Sequence, residues 1–178
     1  MFLDWESNMG MDVYGINPKM MVPAEKFPIY LKYDDMNWGD REKHPDWEKE
    51  KDKYWEEYNS YEKANPGVYF RNNCWWWRPL WNYCYFISKH YKLNLIDEDL
   101  FQSGHCNDGA GLNAEDSMTL AMHLQISIED GTAEKYESDY ADEVLASDDE
   151  FAASYPFDIR NVADFAEFLE YSGGFSIN

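Results

Sequence analysis

A run of three tryptophans followed by an arginine is the first group of side chains with binding chemistry. Trp75, Trp76 and Trp77 stand directly before Arg78. In an extended segment, Trp75 and Trp77 would point to one side and Trp76 to the other. Indole rings can stack on a base, a sugar or a peptide, and Arg78 could bind an anion beside them. Alternatively, two of the indoles fill the core, and both interpretations stay open.

A glycine-rich loop supplies the second group, because His105, Asn107 and Asp108 lie between Gly104 and Gly111. Imidazole, amide and carboxylate groups can hold a small ligand or act as acid and base. The loop leads into a predicted helix, whose first amide groups can hold an anion. It lacks the ending of a P-loop and the carboxylate spacing of an EF-hand. The alternative is a tight turn without a ligand.

Nucleophilic catalysis has little support in the sequence. The three cysteines, Cys74, Cys84 and Cys106, form no CxxC pair, so we expect neither a disulfide framework nor a structural zinc site. Cys74 and Cys84 have apolar sequence neighbours, which would raise a thiol pKa. Only Cys106 stands beside a histidine, and adjacent side chains in a strand point apart. We therefore predict no catalytic residues, metal or cofactor and favour a binding protein over an enzyme, which stays an alternative.

Carboxylates dominate the second half of the chain. The residues from Asp97 to Asn178 include 20 acidic and two basic side chains, a balance of −18 within a total net charge of −20. Such a surface repels nucleic acid and anionic lipid and attracts basic grooves of proteins. We therefore expect neither a nucleic acid nor a membrane as the direct partner. The alternative is a solvated surface that only keeps the protein in solution.

Carboxylates spaced along a helix could imitate the phosphates of a nucleic acid and occupy a basic groove of a host protein. Tyrosines among them could anchor the contact, since aromatic residues dominate binding hot spots. The residues that we predict to bind this partner are Glu134, Glu137, Asp139, Tyr140, Asp142, Glu143, Asp148, Asp149 and Glu150.

The helices and strands that must position these groups are predicted from the spacing of hydrophobic residues and from the positions of Pro, Gly and Asn. Short strands are predicted at 11–16, 68–71 and 175–177. Helices are predicted to start at Pro45 and Pro79, after Asn113 and Asp158, and near Thr132. The last helix is predicted to end at a glycine cap, Gly173-Gly174. Residues 19–40 are predicted to be irregular, with at most an edge strand. The expected fold is α+β, with four to five helices on a small, mostly antiparallel sheet.

The length fits one domain. We expect a loosely ordered N-terminus at 1–10 and a single α+β domain at 11–178. That domain would contain a charged helix at about 45–64, with an aromatic stripe, and an acidic helical half at about 97–172. No stretch reads as a secretory signal or a membrane span, and the cysteines suit a reducing compartment. These features predict the cytoplasm of a bacterial host cell, and a homodimer is compatible with the sequence.

Four blocks, in the same order, resemble a family of small proteins from phages, prophages and bacterial genomes. The blocks are residues 12–15, 69–81, 104–112 and 165–175, with the patterns DVYG, YFRNNxWWWRPLW, GHxNDGxGL and FxxFLxxSGGF. The family has no assigned activity. Its members often carry paired cysteines in the region that matches 134–155, where this chain has none. The resemblance implies a shared scaffold and a phage-associated origin.

Charge and resemblance together predict a phage-type accessory protein that inhibits a host nucleic-acid-handling or antiviral defence factor, such as a defence nuclease. The alternative is a small-ligand protein, either a nucleotide-binding protein or a metal-assisted hydrolase. Its site would combine the tryptophan run with the loop, using Trp75, Trp77, Arg78, His105, Asn107 and Asp108. A structural or assembly protein of the virion is a third possibility.

Overall fold

The structure is a computed structural model that describes residues 10–148 and 151–178. Within these residues the chain forms eight α-helices and four β-strands. In chain order they are β1 (Gly10–Gly15), α1 (Pro28–Tyr33), α2 (Trp38–Lys43), α3 (Trp47–Ala64), β2 (Tyr69–Asn73), α4 (Cys74–His90), α5 (Glu98–Ser103), β3 (Gly111–Leu112), α6 (Ala114–Glu129), α7 (Thr132–Ala146), α8 (Ile159–Ser172) and β4 (Phe175–Ile177). The predicted α+β fold is therefore confirmed. The loose N-terminus predicted at 1–10 lies outside the described residues, except for Gly10 in β1.

The four strands form one antiparallel sheet in the order β2-β1-β4-β3. Val13 lies opposite Phe70 on one side and Ile177 on the other. Val13 and Ile177 are fully buried. The strand that begins the described chain and the strand near its end are thus central neighbours, and helices cover their inner face.

The main core lies between this sheet and helices α4, α6 and α8. Its largest buried side chains include Trp77 and Trp81 of α4, Phe165 and Phe168 of α8, and Phe175 of β4. Helix α8 begins at a capping Asp158, whose carboxylate accepts a hydrogen bond from the Arg160 amide at 2.7 Å. It ends at Gly173 in the left-handed conformation. Both ends agree with the prediction from sequence.

A second, aromatic cluster forms where α1 and α2 pack against the charged helix α3. Its buried members are Tyr30, Tyr33, Trp47, Tyr54 and Tyr61. The predicted charged helix with an aromatic stripe is confirmed, since α3 buries three of these rings along one face.

The eight helices exceed the predicted four to five because of three six-residue helices, α1, α2 and α5. The edge strand considered for residues 19–40 is wrong, because Ile29 and Tyr30 are helical. The Glu57 carboxylate of α3 accepts hydrogen bonds from both of their amides, at 2.7 and 3.0 Å. A contact from a distant helix thus caps α1, and local sequence does not show it. No helix of residues 10–148 and 151–178 is long and apolar enough to span a membrane.

Helix α4 begins five residues before the predicted start at Pro79. The side chain of Asn73 accepts a hydrogen bond from the Trp76 amide at 3.1 Å and caps the helix at Cys74. Pro79 lies inside the helix, where it has no amide hydrogen for the Trp75 carbonyl. The tryptophan run is therefore helical and not extended, and its indoles follow one another around a helical turn.

Candidate functional site

Trp77, predicted to bind a ligand, belongs to the core. It is fully buried, and its ring lies parallel to that of Trp81 at 5.7 Å. Its indole nitrogen donates a hydrogen bond to the carbonyl of Gly104 at 2.7 Å. One tryptophan of the run therefore fixes the start of the glycine-rich loop.

Trp75 and Arg78 lie at the surface beside Tyr155, which precedes α8. The rings of Trp75 and Tyr155 are 4.6 Å apart. The Arg78 guanidinium donates a hydrogen bond to the Tyr155 hydroxyl at 2.9 Å and lies 5.6 Å from the ring centre. Among the described residues, no carboxylate forms an ion pair with Arg78. Its charge is therefore available to an anion.

Close contacts fix the loop that carries His105. A Cβ atom on Gly104 would lie 2.2 Å from the Trp81 indole nitrogen, so no larger residue fits there. The side chain of Asn107 donates to the Gly10 carbonyl at 3.1 Å. Asp108 accepts a hydrogen bond from the Ala110 amide at 3.2 Å, as the turn interpretation requires.

One cavity of about 470 Å³ brings together three of the six predicted ligand-binding residues. Arg78, His105 and Asn107 line it, whereas Trp75, Trp77 and Asp108 do not. The other lining residues are Gly10, Met11, Asp12 and Cys74. Sequence reasoning did not select Asp12, whose only signal was its place in the first resemblance block. It considered Cys74 only as a nucleophile and not as a residue that lines a binding site.

The electrostatics of this cavity favour a small anion. The Nδ1 atom of His105 is buried without a hydrogen-bond partner among the described residues. Burial, and then the charge of Arg78, lower the pKa of His105 below its ordinary 6.5, so its ring stays neutral near pH 7. Asp12, the carboxylate of the cavity, accepts a hydrogen bond from Tyr69 and forms an ion pair with Arg71 at 3.5 Å. The charge of Arg78 is thus the least compensated one.

The cysteines offer no arrangement that indicates catalysis. Cys106, which follows His105 in the sequence, is exposed and does not line the cavity. Burial raises the pKa of Cys84, as expected. Cys74 is half-buried at the polar cavity instead of lying in the core. Residues 10–148 and 151–178 contain no group of three His, Cys, Asp or Glu side chains that could hold a metal ion.

The predicted partner-binding residues lie mostly on the outer face of α7. Those described as exposed are Glu134, Asp139, Asp142, Glu143 and Asp148, while Glu137 and Tyr140 are half-buried. Asp149 and Glu150 lie outside the described residues. Carboxylates three and four residues apart on a helix are neighbours, so α7 presents two groups of negative charges, Glu134 with Glu137, and Asp139 with Asp142 and Glu143.

Helix α8 extends this acidic face. The Arg160 guanidinium forms an ion pair with Asp158 at 2.8 Å. The Asp158 carboxylate, and then Asp164 and Glu137, raise the pKa of Arg160. Carboxylates of α7 and α8 therefore act on the same cation. Lys135, the other basic residue after Asp97, forms an ion pair with Asp139.

Two shallow apolar cavities of about 360 Å³ each border the acidic face. One lies between α4 and α7, and both are lined by Tyr140, Val144, Ala152 and Tyr155. The Tyr140 hydroxyl donates to the backbone carbonyl of Tyr155 at 2.6 Å, which fixes the Tyr140 ring. Leu145 lines the second cavity and is 85% exposed.

Comparison of the chain with protein-family models, curated proteins and solved structures finds no match.

Proposed function

We propose that the protein binds a basic groove of a partner protein through its acidic α7–α8 face and thereby excludes nucleic acid from that groove. The observation that carries this proposal is the set of exposed carboxylates on α7 that continues onto α8 around Arg160. The only two basic side chains after Asp97 already pair with carboxylates of this face. The face therefore keeps a large negative charge, which steers association with a cationic surface.

Charge alone would give fast association but little affinity. The two apolar cavities beside the charges add a place for anchoring side chains. A hydrogen bond holds the Tyr140 ring, Trp75 and Arg78 contact the Tyr155 ring, and Leu145 is exposed. Buried aromatic and apolar anchors supply most of the affinity of protein interfaces, and charged rims supply steering. A partner that presents cationic residues around an apolar side chain fits this surface.

The host setting of the proposal rests on the four sequence blocks that resemble the phage-associated family. Under that likeness, the partner is a nucleic-acid-handling or antiviral defence factor of a bacterial host, and binding takes place in its cytoplasm. This part stays a prediction, as does the absence of a catalytic role.

Two variants of equal net charge test the role of the α7 face. The first carries Glu134→Gln, Glu137→Gln, Asp139→Asn, Asp142→Asn and Glu143→Gln. The second, a matched control, changes five exposed carboxylates on other elements: Asp35→Asn, Glu42→Gln, Glu56→Gln, Asp99→Asn and Glu129→Gln. Both immobilised variants and the unchanged protein are compared for capture of proteins from a bacterial lysate, at low and high salt, with and without duplex DNA as competitor.

We expect the α7 variant to bind the captured partner about tenfold to a hundredfold more weakly, because each exposed ion pair contributes about 0.2–1 kcal/mol. The control should bind like the unchanged protein, and duplex DNA should displace the partner. Equal loss in both variants, or binding that DNA and salt leave unchanged, would refute the proposal.

A second candidate function, binding of a small phosphorylated ligand, is favoured by the unpartnered Nδ1 of His105 in the cavity with Arg78. A nucleoside monophosphate should then raise the melting temperature, since a ligand stabilises the state that binds it. Arg78→Met should abolish this shift. The control Arg160→Met, which removes an exposed arginine elsewhere, should preserve it. No shift in the unchanged protein, or an equal loss in both variants, would exclude this function.

A further inference from the structure

A third kind of cavity lies between the aromatic cluster and strands β1 and β2. Its volume is about 220 Å³, which is below the roughly 300–1,000 Å³ of pockets for drug-sized ligands. Five tyrosines, two carboxylates and one valine line it: Tyr14, Tyr30, Tyr58, Tyr61, Tyr69, Asp34, Glu62 and Val68. The size suits a small head group rather than a nucleotide.

The tyrosine rings form two walls. On the helical side, Tyr30 of α1 lies 4.4 Å from Tyr61 and 5.9 Å from Tyr58, both on α3. On the sheet side, Tyr14 of β1 and Tyr69 of β2 have ring centres 5.1 Å apart. Tyr30 and Tyr61 are buried, whereas Tyr14 is 47% exposed, so the cavity opens to solvent past Tyr14.

The two carboxylates of this cavity have no cationic partner. Among the described residues, no Lys, Arg or His nitrogen lies within 4.0 Å of the carboxylate of Asp34 or Glu62. Arg41, the basic residue beside Asp34, donates to the Tyr54 hydroxyl and to backbone carbonyls. Arg71, near Tyr69, forms an ion pair with Asp12.

The phenols of this cavity add no charge of their own. Burial, and then the Asp34 carboxylate, raise the pKa of Tyr30. Burial, and then Glu62, raise the pKa of Tyr58 in the same way. The hydroxyl groups therefore stay neutral, and the carboxylates give the cavity a negative potential. The faces of aromatic rings are themselves attractive to cations.

We propose that this cavity binds a small alkylammonium cation, with tyrosine rings around the onium group and Glu62 and Asp34 as its counter-charges. An alkylated ammonium needs few or no hydrogen-bond acceptors, and it gains cation–π attraction from several rings at once. Free quaternary amines and methylated lysine side chains share this chemistry. Choline and a peptide with trimethyllysine therefore form two arms of the test.

The first measurement compares choline with 3,3-dimethylbutan-1-ol, which has the same shape but no charge. Calorimetric titration of the unchanged protein should show saturable binding of choline, of the trimethyllysine peptide, or of both. The neutral alcohol should bind about tenfold more weakly or worse, as expected when a desolvated cation–π contact is lost. Equal affinity for choline and the alcohol, or no binding of either cation, would overturn the proposal.

The second measurement compares Glu62→Gln with Glu56→Gln, which makes the same change on an exposed part of the same helix. Glu62→Gln should weaken cation binding about tenfold, because it removes a partly buried counter-charge next to the ligand. Glu56→Gln should leave the affinity within about twofold, since exposed charges are screened. Equal weakening by both substitutions would show a long-range charge effect without a site and would refute the assignment.

Discussion

The substitution Trp77→Phe tests the finding that this tryptophan fixes the glycine-rich loop from inside the core. Trp77 is fully buried, and its indole nitrogen is the only described donor to the Gly104 carbonyl. Removal of that donor leaves a buried carbonyl unsatisfied, at a cost of about 1–3 kcal/mol. The smaller ring loses about 1 kcal/mol more of buried apolar contact.

The expected total is a decrease of about 2–4 kcal/mol in the free energy of unfolding. This corresponds to a melting temperature lower by about 5–15 °C for a chain of this size. Urea denaturation followed by tryptophan fluorescence and circular dichroism measures it. Amide hydrogen exchange at residues 104–109 should also become faster, because the loop loses an anchor.

Trp76→Phe is the matched control. Trp76 is half-buried, and its indole nitrogen makes no hydrogen bond to the described residues. This substitution should cost less than about 1 kcal/mol. If both variants lose the same stability, or if exchange in the loop is unchanged in Trp77→Phe, the anchoring role is wrong.

Three further predictions concern pH and capping. Burial lowers the pKa of His105 below its ordinary 6.5, so as pH falls the imidazole is protonated in the unfolded chain before it is protonated in the folded one. The free energy of unfolding should therefore fall as pH drops through about 6.5. Urea titrations should show a weaker fall in His105→Gln, and the same pH dependence in both proteins would contradict this. Burial raises the pKa of Glu62 above its ordinary 4.5, so the ionised carboxylate destabilises the fold. Glu62→Gln should therefore raise the melting temperature at pH 7 but not below about pH 4. An unchanged melting temperature at pH 7 would contradict this. Asn73→Ala should lower the free energy of unfolding in urea by about 1 kcal/mol, because it removes the cap of α4. Asn59→Ala, which replaces an exposed asparagine inside α3, should not lower it.

Local signals predicted the parts of the fold that depend on neighbouring residues. The Asn113 cap, the Asp158 cap and the Gly173 stop act within one helical turn, and all three are confirmed. The short helix α1 depends instead on Glu57, which is more than 25 residues away in the chain. Spacing along the sequence cannot show such a contact.

The inward face of α6 also could not be chosen from sequence. The spacing of Met118, Ala121 and Met122 predicts one buried face, but Met118 and Met122 are about half exposed. The helix instead buries Leu120 and Leu124, which pack toward α8. Both stripes are apolar at helical spacing, so packing against the neighbouring helices, above all α8, decides between them.

The candidate site was partly predictable for a similar reason. Types and spacing selected Arg78, His105 and Asn107, which do line one cavity. They could not separate Trp77 from Trp75, because the run forms the first turn of a helix whose start depends on Asn73. Cys74 and Asp12 reach the cavity only through the pairing of β1 with β2, which brings distant residues together. The tyrosine cavity depends on that pairing and on α1 as well.

The strand order has a consequence for synthesis of the protein. Val13 needs Ile177 as its partner, so one side of β1 stays unpaired until the ribosome has synthesised and released β4. Until then a nascent chain exposes an apolar strand edge with unpaired amides and carbonyls, which invites aggregation. Chaperone binding during translation and slow completion of the sheet are the expected outcomes of pairing two strands that lie so far apart in the sequence.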